Sequence, residues 1–174
     1  VGQVGAGDPR PPEAEEDRTV TLDEDTETTL NILKPTDPNN DMLTITITGV
    51  PESGIIKVEG FDQVYEGDIL TSEQLISLKY IPEENFNGNP GYFSYIVEDG
   101  NGGSDSQNIS FNINPVNDAP VIDENKTITL DEDSGPSSLG ITAPVDPEGD
   151  DFVISITGLP DNGLIIDRLG NVMN

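Results

Sequence analysis

Short runs of alternating apolar and polar residues begin at Thr19 and recur along the chain. In MLTITITGV (42–50), Leu43, Ile45 and Ile47 alternate with threonines, which is the two-residue period of a half-buried β-strand. Similar runs are TVTL, TTLNIL, GIIKV, LISLKYI, GYFSYIV and QNISFNINPV, and turn residues separate them. About seven short strands in about 100 residues, with no helical pattern beyond a turn at TSEQL, predict an antiparallel β-sandwich.

A second copy of the beginning of this pattern follows Pro120. The segment VDPEGDDFVISITGLPDNGLI repeats TDPNNDMLTITITGVPESGII, and repetition at a fixed period predicts an array of domains. The second copy has counterparts of the first four strands, and the sequence up to Asn174 holds none for LISLKYI, GYFSYIV and QNISFNI. We therefore expect a linker or cloning remnant at 1–17, a first repeat at 18–117, and the N-terminal part of a second, incomplete repeat at 118–174.

This incomplete repeat has too few strands to bury its own apolar residues, among them Ile154, Ile156, Leu164 and Ile165. Unpaired strand edges also invite pairing with another chain. We expect residues 118–174 either to be mobile in solution or to be ordered by a second molecule, and the alternative is that these strands fold back on the first repeat.

The chain is strongly acidic, with 7 Lys and Arg against 34 Asp and Glu and a net charge of −27. Such a chain repels nucleic-acid phosphates and anionic membrane surfaces, and no apolar run approaches the ~20 residues of a membrane span. Nucleic-acid binding and membrane insertion are therefore not expected. Self-repulsion destabilises a compact state, which makes bound divalent cations a candidate for offsetting it. A halophilic or merely very soluble surface is the alternative.

The absence of Cys and His excludes disulfides, thiolate chemistry, histidine bases and ordinary zinc or copper sites. What remains is a set of oxygen-bearing clusters, which suit Ca²⁺ because it takes six to eight oxygen ligands. An EF-hand is excluded, since Met42 and Thr48 stand where its Gly and Glu belong. The clusters are the three acids of LDED at 23–25 and 131–133, DPNND with Asp37, Asn39 and Asp41, its counterpart with Asp146, Glu148 and Asp150, and EDGNGGSD with Asp99 and Asp105.

Each cluster taken alone also fits an ordinary turn, because Asp and Asn are common turn residues. Their recurrence at matched places in both copies favours metal binding. VNDAP between the copies, D-x-N or D-x-E after the second strand, and V-x-D-G before the last one resemble a cadherin repeat. The fuller pattern, LKYIPEENFNG, YFSYIVEDGNG and INPVNDAP in order, resembles the cadherin-like tandem repeats of large bacterial surface adhesins, including RTX-type extender repeats.

The resemblance implies a cadherin- or immunoglobulin-like seven-strand Greek-key sandwich, located outside a bacterial cell or on its surface. It also implies calcium between successive repeats. Because IPEENFNG and Pro115 depart from the cadherin pattern, we expect one or two ions at the junction. The implied junction ligands are Glu24, Asn117, Asp118, Asp146 and Glu148, with Asp23, Asp25 and Asp150 as additions, while Asp37, Asn39 and Asp99 would face a preceding repeat.

We interpret the chain as a calcium-dependent extender that contacts neighbouring repeats, and not as an enzyme. The main alternative is a carbohydrate-binding module of an adhesin or a polysaccharide-degrading protein, which recognises surface glycans through exposed tyrosines. The aromatic side chains considered for sugar stacking are Tyr80, Tyr92, Phe93 and Tyr95, and core packing is the competing explanation for them. A glycosidase built on Glu83 and Glu84 is disfavoured, because neither His, Cys nor an evident cleft accompanies that acid pair.

Overall fold

The computed structural model describes residues 10–59 and 62–173. Residues 1–9 of the predicted linker therefore lie outside the described part of the chain. The protein divides into two compact units, Val1–Val116 and Asn117–Asn174. Within the described residues, no helix combines the length and apolar composition that crossing a bilayer requires.

The first unit is an all-β sandwich, which confirms the predicted fold class. One sheet has the order β1-β8-β7-β3-β5 and the other has the order β2-β6-β4. The described strands number eight, one more than predicted, because the two-residue β5 pairs with the edge of β3. The elements are β1 Arg18–Asp23, β2 Thr28–Thr29, β3 Thr44–Gly49, β4 Ile55–Lys57, β5 Ile69–Leu70, α1 Ser72–Ile76, β6 Lys79–Ile81, β7 Tyr92–Glu98 and β8 Ser104–Asn114.

The first and last strands of this sandwich lie side by side and run parallel, from Arg18 opposite Ile109 to Asp23 opposite Asn114. All other pairs are antiparallel. Because the side chains alternate between the two faces of each strand, the inward residues meet in one core between the sheets. At its centre the rings of Tyr80 and Phe111 stack with their centroids 4.4 Å apart.

Three of the four aromatic residues considered for sugar binding belong to this core. Tyr80, Phe93 and Tyr95 are fully buried. The Tyr80 hydroxyl donates to the Ser53 carbonyl at 2.9 Å, and the Tyr95 hydroxyl donates to the Gln107 side chain at 3.1 Å. Core packing therefore explains these residues.

A short helix, α1, replaces the turn predicted at TSEQL. Thr71 caps it, since the Thr71 hydroxyl accepts from the Gln74 backbone and the Gln74 side chain accepts from the Thr71 backbone. This reciprocal capping box supplies partners for backbone groups that the first turn of a helix leaves free. Leu75 anchors the helix in the core.

Part of the predicted linker, at residues 13–16, contacts the sandwich. Glu13 pairs with Thr36 through two backbone hydrogen bonds, and the Ala14 amide donates to Asp105 at 2.8 Å. The Gln107 side chain donates to the Glu16 carbonyl at 2.8 Å. The sequence shows no alternation here because an isolated bridge and side-chain contacts hold the segment, without a regular ladder.

The second unit has no ladder of strands in its described residues, 117–173. Only isolated bridges occur there, Val121 with Val145 and Ile166 with Val172. The four strands predicted for the second repeat are therefore not formed. In the first unit, β1 and β3 rely on β8 and β7 for hydrogen bonds, and the given sequence contains no counterparts of those partners.

Candidate metal centre

Three carboxylates meet at one end of the first sandwich. One oxygen each from Asp37, Asp41 and Asp99 lies within 4.8 Å of the other two. Asp99 is buried, and Asp37 and Asp41 are half-buried. Among the described residues, this is the group of acidic side chains whose geometry allows three ligands on one ion.

Backbone amides hold the first of these carboxylates in place. Asp37 Oδ1 accepts from the amides of Asn39 at 2.8 Å and Asp41 at 2.9 Å, in a turn where Asn40 has a φ of +59°. The other oxygen, Asp37 Oδ2, is buried and has no hydrogen-bond partner. A buried polar atom without a partner costs free energy, so this oxygen has an unmet need for a donor or a cation.

Asp99 is fixed in the same manner at the end of β7. Its Oδ1 accepts from the amides of Asn101 at 2.7 Å and Gly103 at 2.9 Å. A Cβ atom on Gly103 would lie 2.2 Å from Asp99 Oδ2, so the close approach of this loop requires glycine. The Asn101 side chain also donates to Asp41 Oδ2 at 2.9 Å and thereby links the two acidic loops.

The residues present fit a hard divalent cation. All three candidate ligand atoms are oxygens, and the ion pairs of the described residues involve Lys34, Lys79 and Lys126, none of which pairs with this cluster. Carboxylates gathered in a partly buried place repel one another unless a counter-charge lies among them. Ca²⁺ satisfies this need because it accepts carboxylate oxygens from flexible loops.

The cluster includes two of the three residues expected at this end. Asp37 and Asp99 are brought together, whereas the Asn39 side chain donates to the Arg10 carbonyl at 3.3 Å. Asp41 was recognised in the DPNND motif without being assigned as a ligand, although its counterpart Asp150 was. The sequence does not indicate the contact of the Asn101 side chain with Asp41, because that contact depends on how two distant loops meet.

The carboxylates of Asp23, Glu24 and Asp25, in the first LDED motif, lie at the opposite end of this sandwich and have hydrogen-bond partners within the protein. Glu24 is buried, and its two oxygens accept from the Val116 amide at 2.6 Å and the Asn87 side chain at 3.4 Å. These contacts tie the end of β1 to the end of β8 and to the loop at 82–90. Flanking contacts are those of Asp23 with the Asn114 side chain at 3.1 Å and of Asp25 with the Asn85 amide at 3.0 Å.

The second unit contains the remaining predicted ligands. Asp146 Oδ1 accepts from the Asp150 amide at 2.8 Å, which repeats the contact between Asp37 and Asp41. Glu148 accepts from the Asp118 amide at 3.1 Å. Asp118 Oδ2 is buried and has no hydrogen-bond partner, and the Asn117 side chain donates to the Asp118 carbonyl at 2.9 Å.

Two buried tyrosines and an exposed aspartate have shifted pKa values. Burial, with a smaller contribution from Glu83, raises the pKa of Tyr80 to about 12. Burial also raises the pKa of Tyr95. In the second unit, hydrogen bonds from Asn171 lower the pKa of Asp167 in an exposed turn. Tyr80 and Tyr95 therefore stay neutral and pack in the core.

Comparisons with known proteins agree with the fold. A family model described as "Bacterial Ig domain" matches residues 9–112, more than half of the chain. The Integrin beta-like protein E of Dictyostelium discoideum is 26% identical over 139 residues, which cover 78% of this chain and 7% of that protein. The chain thus spans a small fraction of this relative's length. No solved structure matches this chain. On the family match, the chain belongs to the bacterial Ig domain family.

Proposed function

We propose that this chain is a calcium-binding structural module of a bacterial cell-surface or secreted adhesin. The observation that carries the proposal is the cluster of Asp37, Asp41 and Asp99, in which a buried carboxylate oxygen of Asp37 lacks any partner. Membership of a bacterial Ig domain family supports a structural role. The name of the relative, an integrin beta-like protein, supports adhesion as the setting.

Calcium would act on the charge of the module. The chain carries a net charge of −27, and its self-repulsion is strongest where carboxylates gather. An ion among Asp37, Asp41 and Asp99 would neutralise part of this charge and hold the DPNND turn against the loop after β7. At a free Ca²⁺ concentration ~10-fold above the dissociation constant, one site would add ~1.4 kcal/mol to the free energy of unfolding.

A second site at the junction between repeats is the other part of the proposal. The resemblance to cadherin repeats implies Glu24, Asn117, Asp118, Asp146 and Glu148 as its ligands, with Asp23, Asp25 and Asp150 as additions. The support lies in the second unit, where Asp118 Oδ2 is buried without a partner. An ion bound there would stiffen the connection, so a tandem array would extend as a rod.

Calorimetric titration with CaCl₂ and thermal melting test the proposal. Melting temperature should rise by several degrees between chelator and millimolar Ca²⁺. Asp37→Asn should lose most of that rise, since it removes a charge at nearly constant shape. Asp62→Asn, which alters an exposed acid of the same unit, should keep it. Equal melting in chelator and calcium, with no heat of binding, would show that the cluster holds no ion.

A further inference from the structure

The middle of the outer face of the five-stranded sheet, on β3, β7 and β8, is nearly uncharged, although the chain contains 34 acidic residues. Asp17, whose side chain accepts from the Asn108 amide, and Asp23 of β1 flank it. The outward positions of β3, β7 and β8 carry Thr, Ser and Asn together with Tyr92 and Ile96, and Glu98 at the end of β7 is the charged exception. The other sheet differs, since Lys57 and Lys79 are exposed there and Lys79 pairs with Glu27. Charge is therefore distributed unevenly between the two outer faces.

One aromatic ring stands on the uncharged face. Tyr92 is 49% exposed, unlike its buried neighbour Phe93. A Cβ atom on Gly49 would lie 2.7 Å from Tyr92 Cε2 and 3.4 Å from Cδ2, so this edge of the ring rests on the Gly49 backbone of the adjacent strand. The glycine leaves room for the ring, and the contact fixes the ring while half of the side chain remains open to solvent.

Hydroxyl and amide groups surround this ring. Thr48 Oγ1 and Ser94 Oγ lie 2.8 Å apart beside it. Ser94 stands opposite Asn108, and Tyr92 stands opposite Ser110, across the pairing of β7 with β8. Each of these side chains can both donate and accept hydrogen bonds. Neutral groups also cost far less to desolvate than carboxylates do, which suits a surface that must shed water on binding.

We propose that this face binds an extended, neutral polysaccharide across β3, β7 and β8, with Tyr92 as the stacking platform. An aromatic ring offers an apolar surface to the C–H faces of a sugar, and neighbouring hydroxyls and amides match the sugar's own hydroxyls. The net charge of −27 disfavours anionic polymers. A protein partner fits less well, because interface cores are typically rich in several aromatics, Met and Arg.

Affinity electrophoresis of the full chain tests this site. Gels containing hydroxyethylcellulose or galactomannan should retard the protein, and gels containing polygalacturonate, an anionic polymer, should not. Tyr92→Ala should weaken binding by about tenfold or more, because it removes the platform. Tyr65→Ala is the matched control: it deletes another exposed tyrosine outside β3, β7 and β8, and it should migrate like the unaltered chain.

Asn108→Asp provides a second variant in case the loss of Tyr92 disturbs the fold. It keeps the size of the side chain and places a carboxylate beside Ser94, so it should weaken retardation. Circular dichroism at the assay temperature checks that the variant is folded. Three outcomes would overturn the proposal. The first is that neither neutral polymer retards the chain. The second is that Tyr92→Ala and Asn108→Asp both bind as tightly as the unaltered chain. The third is that light scattering finds a dimer that Tyr92→Ala dissociates, which would assign the face to a second copy.

Discussion

At the scale of single residues, the acidic side chains of this protein do two kinds of work. Asp37 and Asp99 each use one oxygen to order a turn, since that oxygen accepts from two backbone amides. Glu24 instead fastens the end of β1 to neighbouring segments, because one of its oxygens accepts from the Val116 amide and the other accepts from the Asn87 side chain. Similar acidic motifs therefore differ in role, one ordering a turn and the other fastening two strand ends, and only their partners show which.

Glu24→Ala should destabilise the first unit, because it leaves the Val116 amide without its acceptor and removes a buried side chain. Hydrogen bonds to charged groups contribute ~1.5–3 kcal/mol, and ~1 kcal/mol shifts the melting temperature of a domain this size by ~4–8 °C. Thermal melting followed by circular dichroism in chelator measures the effect without calcium. The control is Glu132→Ala at the exposed counterpart in the second copy, and equal melting of the two variants would contradict the fastening role.

The sequence places Asp37 and Asp99 at one end of the sandwich because both belong to short acidic motifs of the cadherin-like pattern. Their meeting with Asp41 could not be foreseen, since it follows from the pairing of Thr44 with Glu98, which brings the start of β3 to the end of β7. No local pattern encodes that distance between residues far apart in the chain.

At the scale of elements, strict alternation is what made a strand predictable. β3, β7 and β8 each alternate over six or more residues, and they form where expected. β5 was missed because Ile69 and Leu70 alone cannot display a period. The sequence predicts only a turn where α1 lies, because five residues are too few to show a helical stripe. The Thr71–Gln74 capping box stabilises this helix.

Thr71→Ala should therefore lower the free energy of unfolding by about 0.5–2 kcal/mol, the usual effect of removing an N-cap. Urea denaturation monitored by circular dichroism measures the change as a lower midpoint with an unchanged slope. Ser72→Ala removes the adjacent hydroxyl and leaves the cap intact, so it should have a smaller effect. If both variants unfold at the same urea concentration, the capping box does not hold α1.

At the scale of the whole molecule, the two units differ in how they treat apolar side chains. The first buries its strand residues in one core, whereas Val153 is 92% exposed, Ile154 67% and Leu164 73% in the second. Apolar residues that remain in contact with water contribute nothing to a folded state. Stability should therefore be concentrated in the first unit.

Hydrogen exchange tests this distribution. In the monomer, the amides of Val153–Ile156 should exchange rapidly, while those of Phe93–Val97 in the central strand β7 exchange slowly. If light scattering finds dimers, protection at Val153–Ile156 should appear with them, because a second molecule would then supply the missing partners. A strict monomer with strongly protected amides at Val153–Ile156 would contradict both expectations.

The parallel pairing of β1 with β8 has a consequence for a protein under tension. The regular strands of the first unit begin with β1 and end with β8, and six residue pairs join these two strands. A pull that draws the two ends apart slides the strands along each other, so the whole set of hydrogen bonds is loaded in shear at once. Antiparallel neighbours pulled from the same end would instead open one bond at a time, at much lower force.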